Sequence, residues 1–293
     1  MKRILVTGAN SYIGISFEEW LIQQPDKYIV DTLDMQNVLW KNKDFSGYAT
    51  VLHVAGIAHV RETKKNKELY FKVNRDLAFE TAKKAKLEGV KHFVFLSTMN
   101  VYGLDKGIIT KDTKPTPKTA YGKSKYQAEQ LIKELENETF IVSIIRPPMV
   151  YGSGCKGNYK KLAAFAKKTS IFPNIDNKRS MIYIDNLSEF IRLLIEDQSS
   201  GLFFPQNNEY IRTAEMVNLI AEQHGKKIVL VKLFNPFIKF CMIISSTCRK
   251  IFGSLIYDKS FIDNKSSNCK YQIYSFRESI ERTEKRIEKI KER

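Results

Sequence analysis

Tyr121 and Lys125 stand four residues apart where a helical pattern begins, so both lie on one helix face. An ammonium beside a phenol, with a cationic ring nearby, favours the phenolate and brings its pKa down toward the working pH, which makes a base able to take a proton from an alcohol. Thr98 ends the apolar run Phe95-Leu96-Ser97-Thr98. Its hydroxyl then emerges at the carboxyl edge of a sheet, where ligands of doubly wound folds sit, and can hold the same alcohol in register. A Tyr and a Lys at this spacing are by themselves an ordinary helix surface. Their chemical reading comes from the Ser-Thr pair that ends the preceding strand and from a second feature near the N-terminus.

That second feature is Thr7-Gly8-Ala9-Asn10-Ser11-Tyr12-Ile13-Gly14, which follows the strand residues Ile4-Leu5-Val6 and opens a helix. Backbone N–H groups and the helix dipole at such a turn can hold a pyrophosphate. Gly8 permits the tight turn and Gly14 lets helix and strand pack closely, with Asn10, Ser11, Tyr12 and Ile13 forming the rest of the cradle. Asp34, at the end of the second strand, is placed to accept hydrogen bonds from the adenosine ribose and to repel a 2′-phosphate, which favours NAD over NADP. Asp31 competes for this role, but strand alternation turns it toward capping or facing the sheet.

These groups need a scaffold, and short β-branched runs alternate with helical patterns through the first half. Strands are expected at Arg3–Thr7, Tyr28–Leu33, Thr50–Val54, His92–Ser97 and Phe140–Ile145, with helices near Tyr12–Gln24, Lys67–Glu88 and Ala120–Asn137. The strands are continuously apolar, as expected when helices cover both faces of a parallel sheet. After Arg146-Pro147-Pro148 the elements shorten, which predicts a nucleotide-binding domain over 1–150, completed by later elements, and a substrate-binding portion over 151–293. There helices are expected near Tyr159–Lys168, Asn186–Glu196 and Thr213–His224, and strands at Met181–Ile184, Leu202–Phe204 and Lys227–Val231. A charged helix begins at Phe276, with a thin apolar stripe of Phe276, Ile280, Ile287 and Ile290 and a Glu281–Lys285 pair on its wet side.

The chain of 293 residues is long enough for a full core, and its formal charge is +16. Residues 223–293 carry 16 Lys and Arg against 7 Asp and Glu. No recognisable nucleic-acid-binding module accompanies this excess, so a solvated face or an anionic membrane surface is expected rather than nucleic acid. The stretch Pro236–Tyr257 is apolar but interrupted by Lys239, Arg249 and Lys250. It reads as amphipathic, either packed on the substrate-binding portion or adsorbed on an anionic bilayer. Cys155, Cys241, Cys248 and Cys269 show no metal-site or disulfide spacing, and no signal-peptide pattern precedes the first strand; a cytoplasmic location is expected and no metal. His53 and His92 read as core residues, and His59 as a neighbour of the cofactor.

Together the motifs resemble those of the extended short-chain dehydrogenase/reductases, in particular their nucleotide-sugar epimerase/dehydratase branch. The resemblance runs from residue 2 to about 204. It rests on the glycine turn, Ala55-Gly56, Asn74, Ser97-Thr98 before Val101-Tyr102-Gly103, Tyr121 with Lys125, and Arg146-Pro147-Pro148 before Val150-Tyr151-Gly152. It implies a Rossmann-type doubly wound sheet with a smaller C-terminal α/β portion, a bound NAD, and catalysis by Tyr121, Lys125 and Thr98. It further implies that Ala55, Gly56, Asn74 and Ser97 line the cofactor, that Pro147 lies near the nicotinamide, and that Asn158 and Arg179 bind the nucleotide diphosphate. An amide at a helix start and a guanidinium fork suit phosphoryl oxygens. Ser11 departs from the family pattern, standing where a middle glycine is usual, and Met149 stands where the 4-epimerases carry a polar residue. A homodimer through the two long helices is implied as well.

The leading expectation is a 4-epimerase of a UDP-linked sugar. The alternatives are a reductase of 4-keto-6-deoxy nucleotide sugars or a dehydrogenase, in surface polysaccharide synthesis, and a non-catalytic dinucleotide-binding scaffold.

Overall fold

Runs of Val, Ile, Leu and Phe with no polar alternation can be satisfied only by cover on both faces, and here they build a central sheet. The structure, a computed structural model, describes residues 1–58, 60–261 and 271–291, the last four as backbone. His59, Cys269 and the Ile290 side chain, named above, lie outside the described residues. The chain forms β1 (Lys2–Thr7), α1 (Tyr12–Leu21), β2 (Tyr28–Leu33), β3 (Thr50–His53), α2 (Lys67–Phe71), α3 (Leu77–Leu87), β4 (His92–Leu96), β5 (Gly107–Ile109), α4 (Ala120–Lys133) and β6 (Ile141–Ile145). There follow β7 (Met149–Tyr151), α5 (Asn158–Ala166), β8 (Ile171–Pro173), β9 (Met181–Tyr183), α6 (Ile184–Asp197), β10 (Gly201–Phe203) and α7 (Thr213–Gln223). The last elements are β11 (Val229–Val231), α8 (Asn235–Ile244), α9 (Ser246–Phe252), β12 (Leu255–Tyr257) and α10 (Phe276–Lys291).

Six strands pair in parallel in the order β10-β6-β4-β3-β1-β2. The chain leaves β1 for β2 on one side and returns to β3 on the other, so the strand order reverses beside β1. That reversal opens a crevice at the carboxyl ends of the strands, where the Gly8 turn lies. The expected doubly wound, Rossmann-type sheet is therefore present. Helix α3 approaches it closely because Ala78, Ala82 and Ala85 recur on one face and meet Leu5, Val51, Phe93 and Val142 in a fully buried cluster.

Two compact units share the chain. The sheet unit comprises Met1–Gly103, Lys114–Pro147 and Leu187–Pro205; the second comprises Leu104–Thr113, Pro148–Asn186 and Gln206–Arg293. Compared with one division at residue 150, the second unit takes in Leu104–Thr113 and the sheet unit regains Leu187–Pro205, because β10 must reach β6 to complete the sheet. Three two-stranded parallel sheets, β8 with β11, β5 with β12 and β7 with β9, organise the second unit. The expected wet helix α10 is more buried than its apolar stripe implies. Phe276 and Ile280 are joined inside by Ser279, Thr283 and Glu284. Tyr159 donates to Glu284 at 2.8 Å, and Lys167 and His224 each lie 2.8 Å from the same carboxylate. The apolar stretch expected over Pro236–Tyr257 divides: β12 is buried, whereas α8 has no buried residue. Packing on the second unit therefore holds for β12 and for Phe252, which meets Phe172, but not for the outer face of α8.

His53 and His92 are core residues, as expected, and both carry one buried ring nitrogen without a partner. Burial, with Lys125 adding to it, pushes His53 down to about 3; burial, with Lys2 adding, pushes His92 down to about 4. The unfolded chain takes up these protons near 6.5 while the folded protein refuses them, so stability falls as pH drops below 6.5. Each ring is expected to remove about 2 kcal/mol between pH 6.5 and about 5. Urea midpoints across that range check this, and a His92→Asn variant with an unchanged pH slope would count against it.

Candidate active site

The first turn of α1 starts at Ser11, whose Oγ accepts from Gly14 N–H at 3.0 Å and so caps the helix. The serine that replaces a glycine therefore has a local structural task. Gly8 adopts φ +96°, and a Cβ on it would lie 2.8 Å from the Ala55 nitrogen. Only glycine meets both demands. The turn is tied to β2 because Gly8 and Ala9 N–H both donate to Leu33 O. Asp34 follows Leu33 directly, exposed at the end of β2, with its carboxylate accepting from Gln36 N–H at 2.9 Å. Asp31 is instead occupied, accepting from Tyr48 at 2.6 Å and Arg3 at 2.9 Å. Asn10 is exposed beside the turn, and Tyr12 and Ile13 are half-buried in the first helical turn.

The expected long helix over 67–88 contains a π-helical turn at Lys72–Asp76, a form concentrated at functional sites. This turn carries Asn74, fully buried, whose Oδ1 accepts from Ile57 N–H at 2.7 Å and whose Nδ2 donates to Ile57 O and Ser124 Oγ. Asn74 thereby fixes the loop that follows β3. Gly56 on that loop is exposed, and a Cβ there would meet Asn74 Oδ1 at 2.9 Å and Lys125 Nζ at 3.3 Å. Ala55, Gly56, Asn74 and Lys125 are thus brought together.

Thr119 caps α4 through Gly122 N–H, which sets Tyr121 and Lys125 on consecutive turns. Lys125 Nζ donates to Leu96 O at 2.8 Å and lies 4.6 Å from the Phe95 ring centre. The Thr98 hydroxyl lies near enough to the Tyr121 phenol to favour its charged form, and the Tyr70 ring meets Tyr121 edge-on at 6.4 Å. Pro147 is buried behind them, its carbonyl accepting from Met99 N–H at 3.0 Å.

The protein's own groups shift the phenol in the opposite direction to the one expected with a cationic nicotinamide beside it. Burial pushes Tyr121 above 10, with the Thr98 hydrogen bond opposing and Tyr70 adding. Burial likewise brings Lys125 down to about 8, against the pull of the Glu129 carboxylate. The reason is shared desolvation: both groups sit where charge is poorly solvated, so each is pushed toward its neutral form.

Ser97, expected to line the cofactor, turns its side chain inward: its hydroxyl donates to Glu129 and its N–H to Ile145 O at 2.7 Å. It belongs to a buried network in which Arg146 grips Glu129 through Nε and Nη2 and donates from Nη1 to Tyr102 at 2.9 Å. Glu129 was legible as a third member of the Tyr121, Lys125 face, one turn further on, but carried no role in the sequence reading.

In the second unit, Asn158 opens α5 after Gly157. Arg179 is held between Ile211 and Leu255 by backbone bridges and donates from Nη1 to Gly253 O at 2.9 Å. Its Nε is buried with no hydrogen-bond partner, and burial pulls the guanidinium below its ordinary value, with Asp105 opposing. A half-buried cation with a spare donor suits an anionic ligand. Cys155 is buried, and burial pushes its thiol up, which leaves it a poor nucleophile.

The model of the "NAD dependent epimerase/dehydratase family" matches residues 4–204. The chain belongs to this family. Among relatives of this family member, a UDP-glucose 4-epimerase of Vibrio cholerae is 28% identical over 95% of this chain and 90% of its own. An N-acetyl-α-D-glucosaminyl-diphospho-ditrans,octacis-undecaprenol 4-epimerase of Escherichia coli O157:H7 is 29% identical over 68% of this chain and 64% of its own. Two solved structures share the fold. A dTDP-4-dehydrorhamnose reductase of Clostridium acetobutylicum has a TM-score of 0.75 at 20% identity, covering 98% of this chain and 99% of that one. A UDP-glucuronic acid 4-epimerase of Bacillus cereus in complex with NAD has a TM-score of 0.73 at 18% identity, with the same coverage. NAD is the family's cofactor. The glycine turn, the capped α1 and the exposed Gly56 rim are consistent with such a dinucleotide. Gly8→Ala forces an L side chain into a positive φ and onto Ala55. It is expected to cost about 1–3 kcal/mol of stability and to weaken NAD binding by at least about tenfold, measurable by thermal unfolding and calorimetric titration.

Proposed function

We propose that the protein is a 4-epimerase of a nucleotide-linked sugar, with a UDP-sugar as substrate. The observation that carries this reading is the proximity of Thr98 to the Tyr121 phenol, with Lys125 on the adjoining helical turn. NAD, when bound, supplies the two-electron acceptor that oxidises the sugar carbon and later returns the electrons, together with a positive ring charge. Gly8, the first turn of α1 and Gly56 hold it, Asn74 fixes the Gly56 loop from inside, and Asp34 holds the adenosine ribose. Tyr121 Oη takes the proton of the sugar C4 hydroxyl and gives it back. Thr98 Oγ1 keeps that hydroxyl in line with Tyr121. Lys125 stands on the same helix face and, together with the positive ring, favours the phenolate. Pro147 closes the floor against water. Asn158 and Arg179 hold the diphosphate, the unpartnered Nε of Arg179 being the donor in need of an acceptor. The epimerase reading rests on the near full-length likeness to the V. cholerae enzyme.

The test incubates purified protein with UDP-, dTDP- and GDP-sugars, with and without coenzyme, and follows products by NMR. Epimer formation without added coenzyme supports the reading. Stoichiometric consumption of NADH or NADPH on a 4-keto sugar replaces it with a reductase, and no turnover on any substrate leaves a dinucleotide-binding scaffold. A homodimer through α2, α3 and α4 is part of this proposal, and light scattering on the purified protein checks it.

A further inference from the structure

We propose that α8 and α9 form a membrane-surface hairpin, with the apolar face of α8 laid into the headgroup region of an anionic bilayer. This inference is independent of the reaction proposed above. Leu233, Phe237, Phe240 and Ile244 follow one another at spacings of four, three and four, which places them along one face of α8 and its lead-in. They are 83%, 66%, 60% and 70% exposed, and Ile243 at their flank is 74% exposed. Scattered apolar residues on a surface need no explanation, but large side chains aligned on one helix face mark a contact surface. No residue of α8 is buried, so the helix is not held by a core of its own.

Charge decides the occupant. Between Glu222 and Asp258 the chain carries six basic residues and no acidic one: Lys226, Lys227, Lys232, Lys239, Arg249 and Lys250. Lys232, Lys239 and Lys250 are exposed, while Arg249 donates to Met242 O and Ile243 O and fixes the corner between α8 and α9. A second copy of the chain is disfavoured, because a symmetric contact through this face sets Lys232 and Lys239 against their own counterparts. An anionic lipid surface answers both properties: the rings enter the headgroup layer and the lysines reach lipid phosphates. Ten residues of helix span about 15 Å, half the hydrocarbon thickness, so α8 lies on the bilayer and does not cross it. Among the described residues no helix is long and apolar enough to cross a membrane.

The test is sedimentation of the full chain with phosphatidylcholine vesicles, with and without phosphatidylglycerol. Binding is expected to the anionic vesicles, falling as salt is raised. Phe237→Ser with Phe240→Ser is expected to raise the lipid concentration for half-binding by about tenfold or more, and Lys232→Glu with Lys239→Glu by a similar factor. Both variants should keep the parent's thermal unfolding and NAD affinity, which separates lost adsorption from lost folding. Absence of binding to anionic vesicles, or binding that the Phe variants leave unchanged, overturns the proposal. So does concentration-dependent dimerisation that those variants abolish, which would assign the face to a second copy.

Discussion

Tyr121→Phe is expected to lower turnover by about 10²–10⁴-fold while NAD binding is retained. The substitution removes one oxygen and keeps the ring, so the edge-on packing against Tyr70 and the cap of α4 survive. What disappears is the oxygen that faces Thr98 and is assigned to the sugar proton. Because burial holds the phenol above its ordinary 10, the protein's own groups leave it protonated at neutral pH. Turnover should therefore rise with pH as the phenolate population grows, and this limb should vanish in the phenylalanine variant. Steady-state rates across pH, with NAD affinity measured separately, give the answer. An unchanged rate removes Tyr121 from the mechanism.

Arg146→Leu or Glu129→Leu alone is expected to cost about 3–5 kcal/mol of stability, since each leaves the partner as an uncompensated buried charge. Both side chains are buried and joined by several hydrogen bonds, with Ser97 and Tyr102 completing the set. Changing both to Leu should cost much less than the sum of the singles, because no charge is then stranded. Urea unfolding of the four proteins forms the required cycle. Single variants within about 1 kcal/mol of the parent would show that the pair is solvated in solution. Glu129 also supports the charge of Lys125, so Glu129→Gln should shift the pH dependence of turnover even where folding survives.

Local elements, and much of what the site is made of, can be read from short stretches of residues. β2 falls on Tyr28–Leu33 as its apolar run indicates, α4 starts at Ala120, and α10 starts at Phe276. These are local outcomes of propensity, capping and burial pattern, and a few neighbouring residues contain the information. Gly8 too was legible, since a turn between a strand and a helix demands a positive φ. Pairings across the chain were not. The short strands β5, β7, β8 and β12 exist only because partners as much as 148 residues away complete them, as with Gly107 and Leu255. The inward turn of Ser97, the buried Glu129 and Arg146 pair, and the burial of Ser279 and Glu284 on a helix with a charged sequence are likewise long-range facts. Even the Tyr121 and Lys125 pair shows the division: spacing put them on one face, but their pKa directions follow from desolvation by residues distant in sequence. Periodicity reports which face of an element is apolar, whereas the dielectric around a charge and the partner of a polar group depend on which elements the fold brings alongside.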